Sequence, residues 1–304
     1  MHHIDSTRPD ADVVIDEALV RALLETQHPE LAELPLVWVE AGWDNVVFRL
    51  GDELAVRLPR RMSAHGLLLS EVRWLPFLAP RLPLAVPSAK YRGKPGENYP
   101  YHWVVAPWFS GESAANLDVK MRDDLTLELA RFFKALHVPA PADAPKNAVR
   151  GVPLQARSVA VLERLEHYVG PAKNELIALW ENALQAGKYM GSRLWLHGDP
   201  HPHNVIVTPH DAHESPRLAA VIDFGDLTSG DPASDLACGW LFFSDLGLKE
   251  FREVAGDNAL YDAEVWERAR GWALNYASLM IGLDQNDPLH SVGAHGIEML
   301  LKGA

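Results

Sequence analysis

The chain has 304 residues, of which 48% are hydrophobic and 23% charged, and its formal net charge is −13. This is the composition of a globular protein long enough for two domains, and no apolar run approaches the ~20 residues that a membrane-spanning helix needs. The charge disfavours nucleic acid as a partner, because binding to a phosphate backbone needs clustered basic residues. The 28 lysines and arginines are instead scattered along the sequence.

The single cysteine, Cys238, excludes an internal disulfide bond. It lies in the apolar run Leu236–Phe243, which predicts a buried thiol. The start of the chain, Met1–Asp10, is polar and lacks the apolar core of a signal peptide. We therefore expect a cytoplasmic protein, with no membrane attachment.

The first part of the sequence predicts strands and two helices. Apolar residues at helical spacing and an acidic first turn predict a helix over Ile15–Thr26, and Met62–Leu78 has helical character throughout. Short runs rich in β-branched and aromatic residues predict five strands of an antiparallel sheet. They are Leu36–Glu40, Val46–Leu50, Leu54–Leu58, Val86–Arg92 and Tyr101–Phe109.

The remaining sequence is mainly helical. Apolar stripes predict helices over Leu125–His137, Lys173–Lys188, Leu248–Val254, Ala263–Leu283 and Ser291–Leu301. The β-branched runs Val205–Val207 and Leu218–Ile222 predict strands. Val138–Gly151 is rich in proline and alanine and is expected to run over the surface, and the sequence assigns no role to residues 138–170.

The most informative feature flanks those two strands. Residues 196–204 read LHGDPHPHN and residues 221–226 read VIDFGD. The carboxylate of Asp199 is thus followed five residues later by the amide of Asn204, and nineteen residues beyond that by the carboxylate of Asp223. Transfer of a nucleotide γ-phosphate requires metal ions held on phosphate oxygens and an oriented acceptor hydroxyl. We expect Asp199 to be the base, and Asn204 and Asp223 to bind Mg²⁺, which prefers oxygen ligands.

The spacing resembles the protein-kinase pair HRDxxxxN and DFG, with His-Gly-Asp in place of His-Arg-Asp. The His-Gly-Asp form is similar to the aminoglycoside phosphotransferase family, small-molecule kinases that share the kinase fold. The resemblance runs from about Glu40 to Asp235. It implies a mixed α/β protein in which strands and helices are segregated (α+β), with a protein-kinase-like, two-lobed fold. Residues 1–106 would form a five-stranded antiparallel N-lobe and residues 107–304 a mainly helical C-lobe, with the active site between them.

The resemblance also implies nucleotide-binding roles in the N-lobe. The turn that contains Gly42 and Asn45 would cover the phosphates of ATP or GTP with backbone N–H groups. Arg57 takes the position of the phosphate-binding lysine of an Ala-x-Lys strand, and a guanidinium can clamp phosphate oxygens bidentately. Glu71, fourteen residues on, would be the ion-pair partner that holds Arg57 in place.

The purine contact falls at the crossover between the lobes in this resemblance. Backbone groups of Val105, Ala106 and Trp108 would bind the base, since Pro107 has no N–H to donate. After the metal motif, Asp231 is expected to cap a helix, and Asp235 to pin the catalytic loop through its backbone amides.

The acceptor implied by the resemblance is a hydroxylated small molecule. An aminoglycoside-type antibiotic is favoured, in keeping with an acidic protein that would attract a cationic substrate. A macrolide, or a metabolic sugar or amino alcohol, is the alternative. In the family, acidic residues of the later helices receive substrate ammonium groups. Asp245, Asp284 and Asp287 are eligible by residue type, and Asp226 is a further candidate for contact with metal or substrate.

Two other classes of function remain open. One is a metal-dependent hydrolase, because a histidine-rich cluster could bind a transition metal. Its members would be His197, Asp199, His201, His203 and Asp223. The other is a pseudokinase that binds a nucleotide without transferring phosphate, for which Arg57 and the single-glycine turn are the only arguments.

Overall fold

The computed structural model describes residues 10–208, 214–256 and 260–303, which form two compact units. The first unit contains the described residues up to Pro80 together with Val86–Phe109. The second contains Arg81–Ala85 and the described residues from Ser110 onward. The polar start of the chain, apart from Asp10, lies outside the described residues.

The first unit is a five-stranded antiparallel sheet with two helices, as the sequence predicts. Its strand order is β1-β2-β3-β5-β4. The Asp16 side chain caps the first helix by accepting a hydrogen bond from the Leu19 N–H, at 2.8 Å. The elements are α1 (Glu17–Gln27), β1 (Leu36–Ala41), β2 (Asn45–Leu50), β3 (Leu54–Pro59), α2 (Met62–Leu78), β4 (Tyr91–Gly93) and β5 (Trp103–Pro107).

The core of this unit follows from residue alternation. On β2, Val46, Phe48 and Leu50 point to one buried face, and they join Leu23 and Leu24 of α1 in a single apolar cluster. Strand β3 is instead buried along almost its whole length. A central strand that is covered on both faces has this pattern.

One predicted strand is largely wrong. The sequence predicts a strand over Val86–Arg92, whereas β4 begins only at Tyr91. Pro87 interrupts the run and has no N–H to donate to a neighbouring strand. The Ser88 N–H instead donates to the Val86 carbonyl at 2.8 Å, which closes a local turn.

The second unit packs helices around two small sheets, a pair β7-β10 and a triplet β6-β8-β9. Most of helix α10 is buried, so it forms the centre of the unit. The elements are β6 (Glu112–Ser113), α3 (Val119–Arg122), α4 (Thr126–Leu136), α5 (Ser158–Glu166), α6 (Lys173–Gln185), β7 (Leu194–Leu196), β8 (Val205–Val207), β9 (Leu218–Val221), β10 (Thr228–Gly230), α7 (Ala233–Leu236), α8 (Cys238–Phe242), α9 (Asp245–Ala255), α10 (Ala263–Met280) and α11 (Pro288–Leu301).

The proline-rich segment after α4 is more ordered than its composition indicates. Gly151 has a φ of +62°, and its carbonyl accepts a hydrogen bond from the Asp231 N–H at 3.1 Å. A Cβ atom on Gly230 would lie 2.1 Å from the same carbonyl oxygen, so the two backbones meet where only glycine fits. This contact fixes residues 147–153 against the strand that follows the metal motif.

Cys238 is buried in α8, as the sequence predicts, and burial raises the pKa of its thiol well above the usual value. Across the described residues, no helix combines the length and apolar character that crossing a bilayer requires.

Candidate active site

Strand pairing brings the two predicted metal ligands together. Asn204 directly precedes β8 and Asp223 follows β9, and these strands pair with Val205 opposite Val221. The Ile222 N–H donates to the Asn204 carbonyl at 2.9 Å. Asp223 has a φ of +61°, a left-handed backbone conformation that is rare outside glycine and is concentrated at functional sites.

The side chain of His197 contacts both the loop that carries Asp199 and the loop that carries Asp223. Its ring is buried, 4.5 Å from the ring of Phe224. Nδ1 accepts a hydrogen bond from the Asp199 N–H at 3.2 Å, and Nε2 lies 2.9 Å from the Ile222 carbonyl, to which it donates. This network assigns the neutral Nε2–H tautomer. Both ring nitrogens are therefore engaged with backbone, which removes His197 from the set of possible metal ligands.

Asp235 pins the catalytic loop, as the sequence predicts. Its carboxylate is fully buried and accepts hydrogen bonds from the His197 N–H at 2.7 Å and the Gly198 N–H at 3.0 Å. His137 Nε2 lies 3.2 Å from the same carboxylate. Gly198 has a φ of +91°, and a Cβ atom there would lie 2.2 Å from the Asp226 carbonyl oxygen. The turn before Asp199 therefore requires glycine.

Arg150 binds the predicted base. The sequence indicates that residues 149–153 bend toward the cleft, but it assigns them no role. Its Nη2 donates to Asp199 Oδ1 at 2.9 Å, its Nε lies 3.5 Å from Asp226 Oδ2, and its guanidinium lies 4.9 Å from the centre of the Tyr276 ring. Burial alone would raise the pKa of Asp199. Arg150, together with His201, outweighs it and holds that pKa below its usual range. Asp199 is thus an ionised carboxylate whose side chain is 28% exposed.

Asp226 shares Arg150 with the base. It also accepts a hydrogen bond from Asn147 Nδ2 at 2.8 Å. Burial raises the pKa of Asp226, and the carboxylates of Asp199 and Asp223 add to this against the charge of Arg150. The Arg150 guanidinium therefore contacts two carboxylates, and Asp226 has the higher pKa of the two.

Asn204 and Asp223 fit a hard divalent cation by their chemistry. Asn204 Nδ2 donates to the Asp199 carbonyl at 3.0 Å, which leaves its Oδ1 as a ligand atom. The Asp223 side chain is exposed, and its carboxylate has no hydrogen bond or ion pair within the described part of the chain. Amide and carboxylate oxygens, completed by phosphate and water, are the ligands that Mg²⁺ prefers. In residues 10–208, 214–256 and 260–303, no three His, Cys, Asp or Glu side chains are grouped to hold a metal.

In the first unit, the predicted ion pair between Arg57 and Glu71 is present. The two buried side chains meet bidentately, with Nη1 at 2.5 Å from Oε1 and Nη2 at 3.1 Å from Oε2. Two parallel bonds fix the plane of the guanidinium as well as its position. Phosphate binding by Arg57 remains a prediction.

The turn between β1 and β2 is held by two further arginines. Arg60 Nη1 donates to the Gly42 carbonyl at 2.7 Å, and Arg61 Nη2 donates to Asp44 Oδ1 at 2.8 Å. The Gly42 N–H donates to the Asn45 carbonyl at 2.8 Å, so it serves the turn in this conformation. Asn45 Oδ1 is buried and has no partner among the described residues. Covering of phosphates by Gly42 and Asn45 remains a prediction.

The residues predicted to contact the purine lie at and beyond the end of β5. Val105 and Ala106 are buried within the strand, paired with Val56 and Ala55 of β3. The Trp108 N–H donates to the Glu53 carbonyl at 2.8 Å, so that amide is used inside the first unit. The base contact itself remains a prediction.

Of the three acidic residues offered as substrate ligands, Asp245 and Asp287 lie at the start of a helix and Asp284 lies in the loop between α10 and α11. Asp287 caps α11 by accepting a hydrogen bond from the Leu289 N–H at 2.9 Å, and Asp284 accepts one from the Asn286 N–H at 2.8 Å. Asp245 is the exposed first residue of α9. Helix capping explains Asp287 without a ligand.

Comparison with known proteins identifies this arrangement of sheet, helices and loops as the kinase-like fold of small-molecule phosphotransferases. The GDP complex of wild-type aminoglycoside 2'-phosphotransferase-IIIa aligns with a TM-score of 0.67 at 18% identity, over 95% of this chain and 100% of that one. A streptomycin–ATP–APH(2")-IIa ternary complex aligns with a TM-score of 0.60 at 19% identity, over 95% and 97%. The macrolide 2'-phosphotransferase MphH from Brachybacterium faecium, an apoenzyme, aligns with a TM-score of 0.60 at 21% identity, over 90% and 97%.

The sequence itself gives the family. The profile of the phosphotransferase enzyme family, APH, matches residues 36–272, which is most of the chain. The chain therefore belongs to this family and is a small-molecule kinase. Comparison with curated proteins finds no significant sequence match.

The ion pair in the first unit provides a test of nucleotide binding. Replacing Glu71 with Gln removes the carboxylate that binds the buried Arg57 guanidinium bidentately, which costs about 3 to 5 kcal/mol of folding free energy. We also expect the KM for nucleotide to rise about tenfold, equivalent to about 1.4 kcal/mol, as the guanidinium loses its fixed plane. Steady-state kinetics and thermal unfolding measure the two effects. Glu40→Gln on β1 is the control, and an unchanged KM in a folded Glu71→Gln protein would contradict the role of Arg57.

Proposed function

We propose that this protein transfers the γ-phosphate of ATP or GTP to a hydroxyl group of a small molecule, with Asp199 as the catalytic carboxylate. The observation that carries the proposal is the strand pair β8-β9, which sets Asn204 beside the residues that lead into Asp223. His197 joins the same two loops to the backbone of Asp199. The family match and the fold of the neighbours support phosphotransfer as the reaction.

Asp199 orients the acceptor in this mechanism. Its carboxylate stays ionised because its pKa is held below the usual range, so it accepts a hydrogen bond from the acceptor hydroxyl at physiological pH. The hydroxyl proton passes to the carboxylate as the new O–P bond forms. The bond between the γ-phosphorus and the β–γ bridging oxygen breaks in the same step, and the nucleoside diphosphate leaves. A weakly basic carboxylate suits a loose transition state, in which bond formation to the nucleophile is little advanced.

Arg150 and Asp235 keep that carboxylate in place. Arg150 fixes Oδ1 of Asp199, and Asp235 fixes the peptide groups just before it. Positioning of this kind lowers the barrier because the reacting groups are already aligned. Asn204 and Asp223 would hold Mg²⁺, which supplies charge neutralisation on the phosphate oxygens when bound.

The donor is ATP or GTP in this proposal, and Arg57 clamps its phosphates while Glu71 holds Arg57. Complexes of the structural neighbours contain GDP in one case and ATP in another, which supports a nucleotide donor in general. The resemblance to aminoglycoside phosphotransferases supports an aminoglycoside-type antibiotic as acceptor, and with it a role in antibiotic resistance. The macrolide phosphotransferase neighbour supports a macrolide as the alternative acceptor. A metabolic sugar or amino alcohol is the other alternative.

A coupled assay of nucleoside diphosphate release tests the proposal. Purified protein, Mg²⁺ and either ATP or GTP are screened against aminoglycosides, macrolides, sugars and amino alcohols, with phosphorylated product confirmed by mass spectrometry. At least one acceptor should give release far above the rate with water, and the Asp199→Asn protein should not. Nucleotide binding without release on any acceptor would favour the pseudokinase alternative. A fall in antibiotic susceptibility on expression would separate a resistance enzyme from a metabolic one.

A further inference from the structure

Positive charge accumulates around Arg150, the arginine that contacts Asp199. Three arginines spaced seven residues apart, Arg150, Arg157 and Arg164, lie on the segment that leads into α5 and on α5 itself. Their electrostatic interactions with one another show that they form one group. An acceptor that extends from Asp199 past Arg150 would therefore meet this positive charge.

The guanidinium charges of this group are only partly neutralised. Arg150 is matched by Asp199 and Asp226. Arg164 is held by neutral oxygens, with Nε donating to Ser278 Oγ at 3.1 Å and Nη2 donating to Asn275 Oδ1 at 2.8 Å.

Arg157 has the fewest polar partners of the three arginines. Its Nε is buried without an acceptor, and within the described ranges its guanidinium makes no hydrogen bond or ion pair. Burial first, and then the charge of Arg150, lower the pKa of Arg157, although Tyr276 opposes this. Burial and the other two arginines lower the pKa of Arg164 to about 10, against the exposed carboxylate of Glu163. The half-buried Arg157 therefore lacks the anion that such a group normally has.

A buried hydroxyl lies in the same place. Tyr276 of α10 is 2% exposed, its ring stacks against Arg150, and its hydroxyl has no partner within the described residues. Buried hydroxyls in folded proteins are nearly always hydrogen-bonded, so this hydroxyl lacks a partner that a bound molecule can supply. Arg157 and Tyr276 also interact electrostatically with each other.

Further basic residues lie near Arg150. A cavity of about 370 Å³ adjoins Arg150 and is lined by the basic side chains of Lys146, Lys188, Arg193 and Arg268 as well. Its one lining carboxylate, Asp231, is already paired with Arg268 at 2.6 Å. The surroundings of Arg150 thus offer a surplus of cationic groups to a bound molecule.

We propose that Arg157 and Tyr276, next to Arg150, bind an oxyanion carried by the acceptor, so that the substrate is a hydroxylated carboxylate or phosphate ester. This assignment rests on the proposed function, because it takes Asp199 as the group that receives the acceptor hydroxyl. Arg157 supplies the uncompensated charge, and Tyr276 donates its hydroxyl proton to an anionic oxygen. The guanidinium of Arg150 would then lie between the bound oxyanion and Asp199. A hydroxyl group of the same acceptor molecule could therefore reach Asp199. A polycationic aminoglycoside thus ranks below a sugar acid or a sugar phosphate as the natural acceptor.

Equilibrium binding tests the assignment without requiring turnover. Titration calorimetry at constant ionic strength, with ADP and Mg²⁺ present, compares glucuronate, glucose 6-phosphate and inorganic phosphate with glucosamine and kanamycin. We expect at least one oxyanion to bind, and to bind at least tenfold more weakly to Arg157→Gln and to Tyr276→Phe. Arg131→Gln, an exposed arginine of α4, is the matched control and should bind as the unaltered protein does. Comparison of glucuronate with the two phosphates, glucose 6-phosphate and inorganic phosphate, separates carboxylate recognition from phosphate recognition.

The variants can be checked for folding separately. Arg157→Gln removes an unpaired charge and Tyr276→Phe removes an unpaired hydroxyl, so neither should lower the unfolding temperature. Binding of no oxyanion, equal binding by Arg157→Gln, or tighter binding of glucosamine or kanamycin would each overturn the inference. A failed screen for phosphate transfer would instead contradict the proposed reaction, which this binding measurement does not use.

Discussion

Replacing Asp199 with Asn should lower kcat about 10³-fold, the contribution typical of a positioned acid–base group, while the Kd for nucleotide changes little. That loss corresponds to about 4 kcal/mol of transition-state stabilisation. The amide is isosteric, so it keeps the loop conformation but presents an oxygen without charge to the acceptor hydroxyl. Rapid-quench or steady-state kinetics, with nucleotide binding measured by calorimetry, check both halves of this expectation.

The matched control for Asp199 is Asp124→Asn, an exposed carboxylate just before α4. It should leave kcat unchanged, because Asp124 belongs to no hydrogen-bond network of the site. Equal turnover in the Asp199→Asn protein would remove Asp199 from the mechanism. Loss of nucleotide binding together with turnover would indicate a binding role rather than a chemical one.

Replacing Asp235 with Asn should lower both the stability of the protein and its turnover. The fully buried carboxylate accepts from two backbone N–H groups, and an amide nitrogen in place of one oxygen would face a donor. Charge-assisted hydrogen bonds of this kind contribute about 1.5 to 3 kcal/mol each, so we expect a loss of about 3 kcal/mol. Chemical denaturation followed by tryptophan fluorescence measures it. We also expect kcat to fall, because His197 and Gly198 set the position of Asp199.

Asp262→Asn is the control for this experiment, since Asp262 caps α10 through the Val265 N–H and asparagine caps a helix equally well. Its unfolding free energy should change by less than about 0.5 kcal/mol. If Asp235→Asn were as stable as this control, the buried carboxylate would not be what holds the catalytic loop.

The sequence was sufficient where local pattern and spacing coincide. Helix α2 begins and ends at the predicted residues, because its apolar positions recur at helical spacing throughout. The Arg57–Glu71 pair followed from the kinase-like spacing, and the Asp235 contacts from the place of that residue after the metal motif. In each case a short stretch of sequence determines the geometry.

The sequence was insufficient where tertiary contacts decide the structure. Strands β7 and β10 are three residues each and exist because they pair with one another, which no local periodicity reports. Arg150 lies in a proline-rich segment without repeat, and only the close approach of Gly151 and Gly230 brings it to Asp199. The isolated Arg157 and the orphan hydroxyl of Tyr276 are likewise visible only in the folded chain.

The burial of Cys238 has a practical consequence. With its one natural thiol enclosed and strongly protonated, the unaltered protein should resist alkylating reagents, because thiolate is the reactive species. A cysteine introduced at an exposed position would then be the sole site of labelling, with no need to remove the native one. A fluorophore attached in this way to the turn between β1 and β2 could report nucleotide arrival in real time.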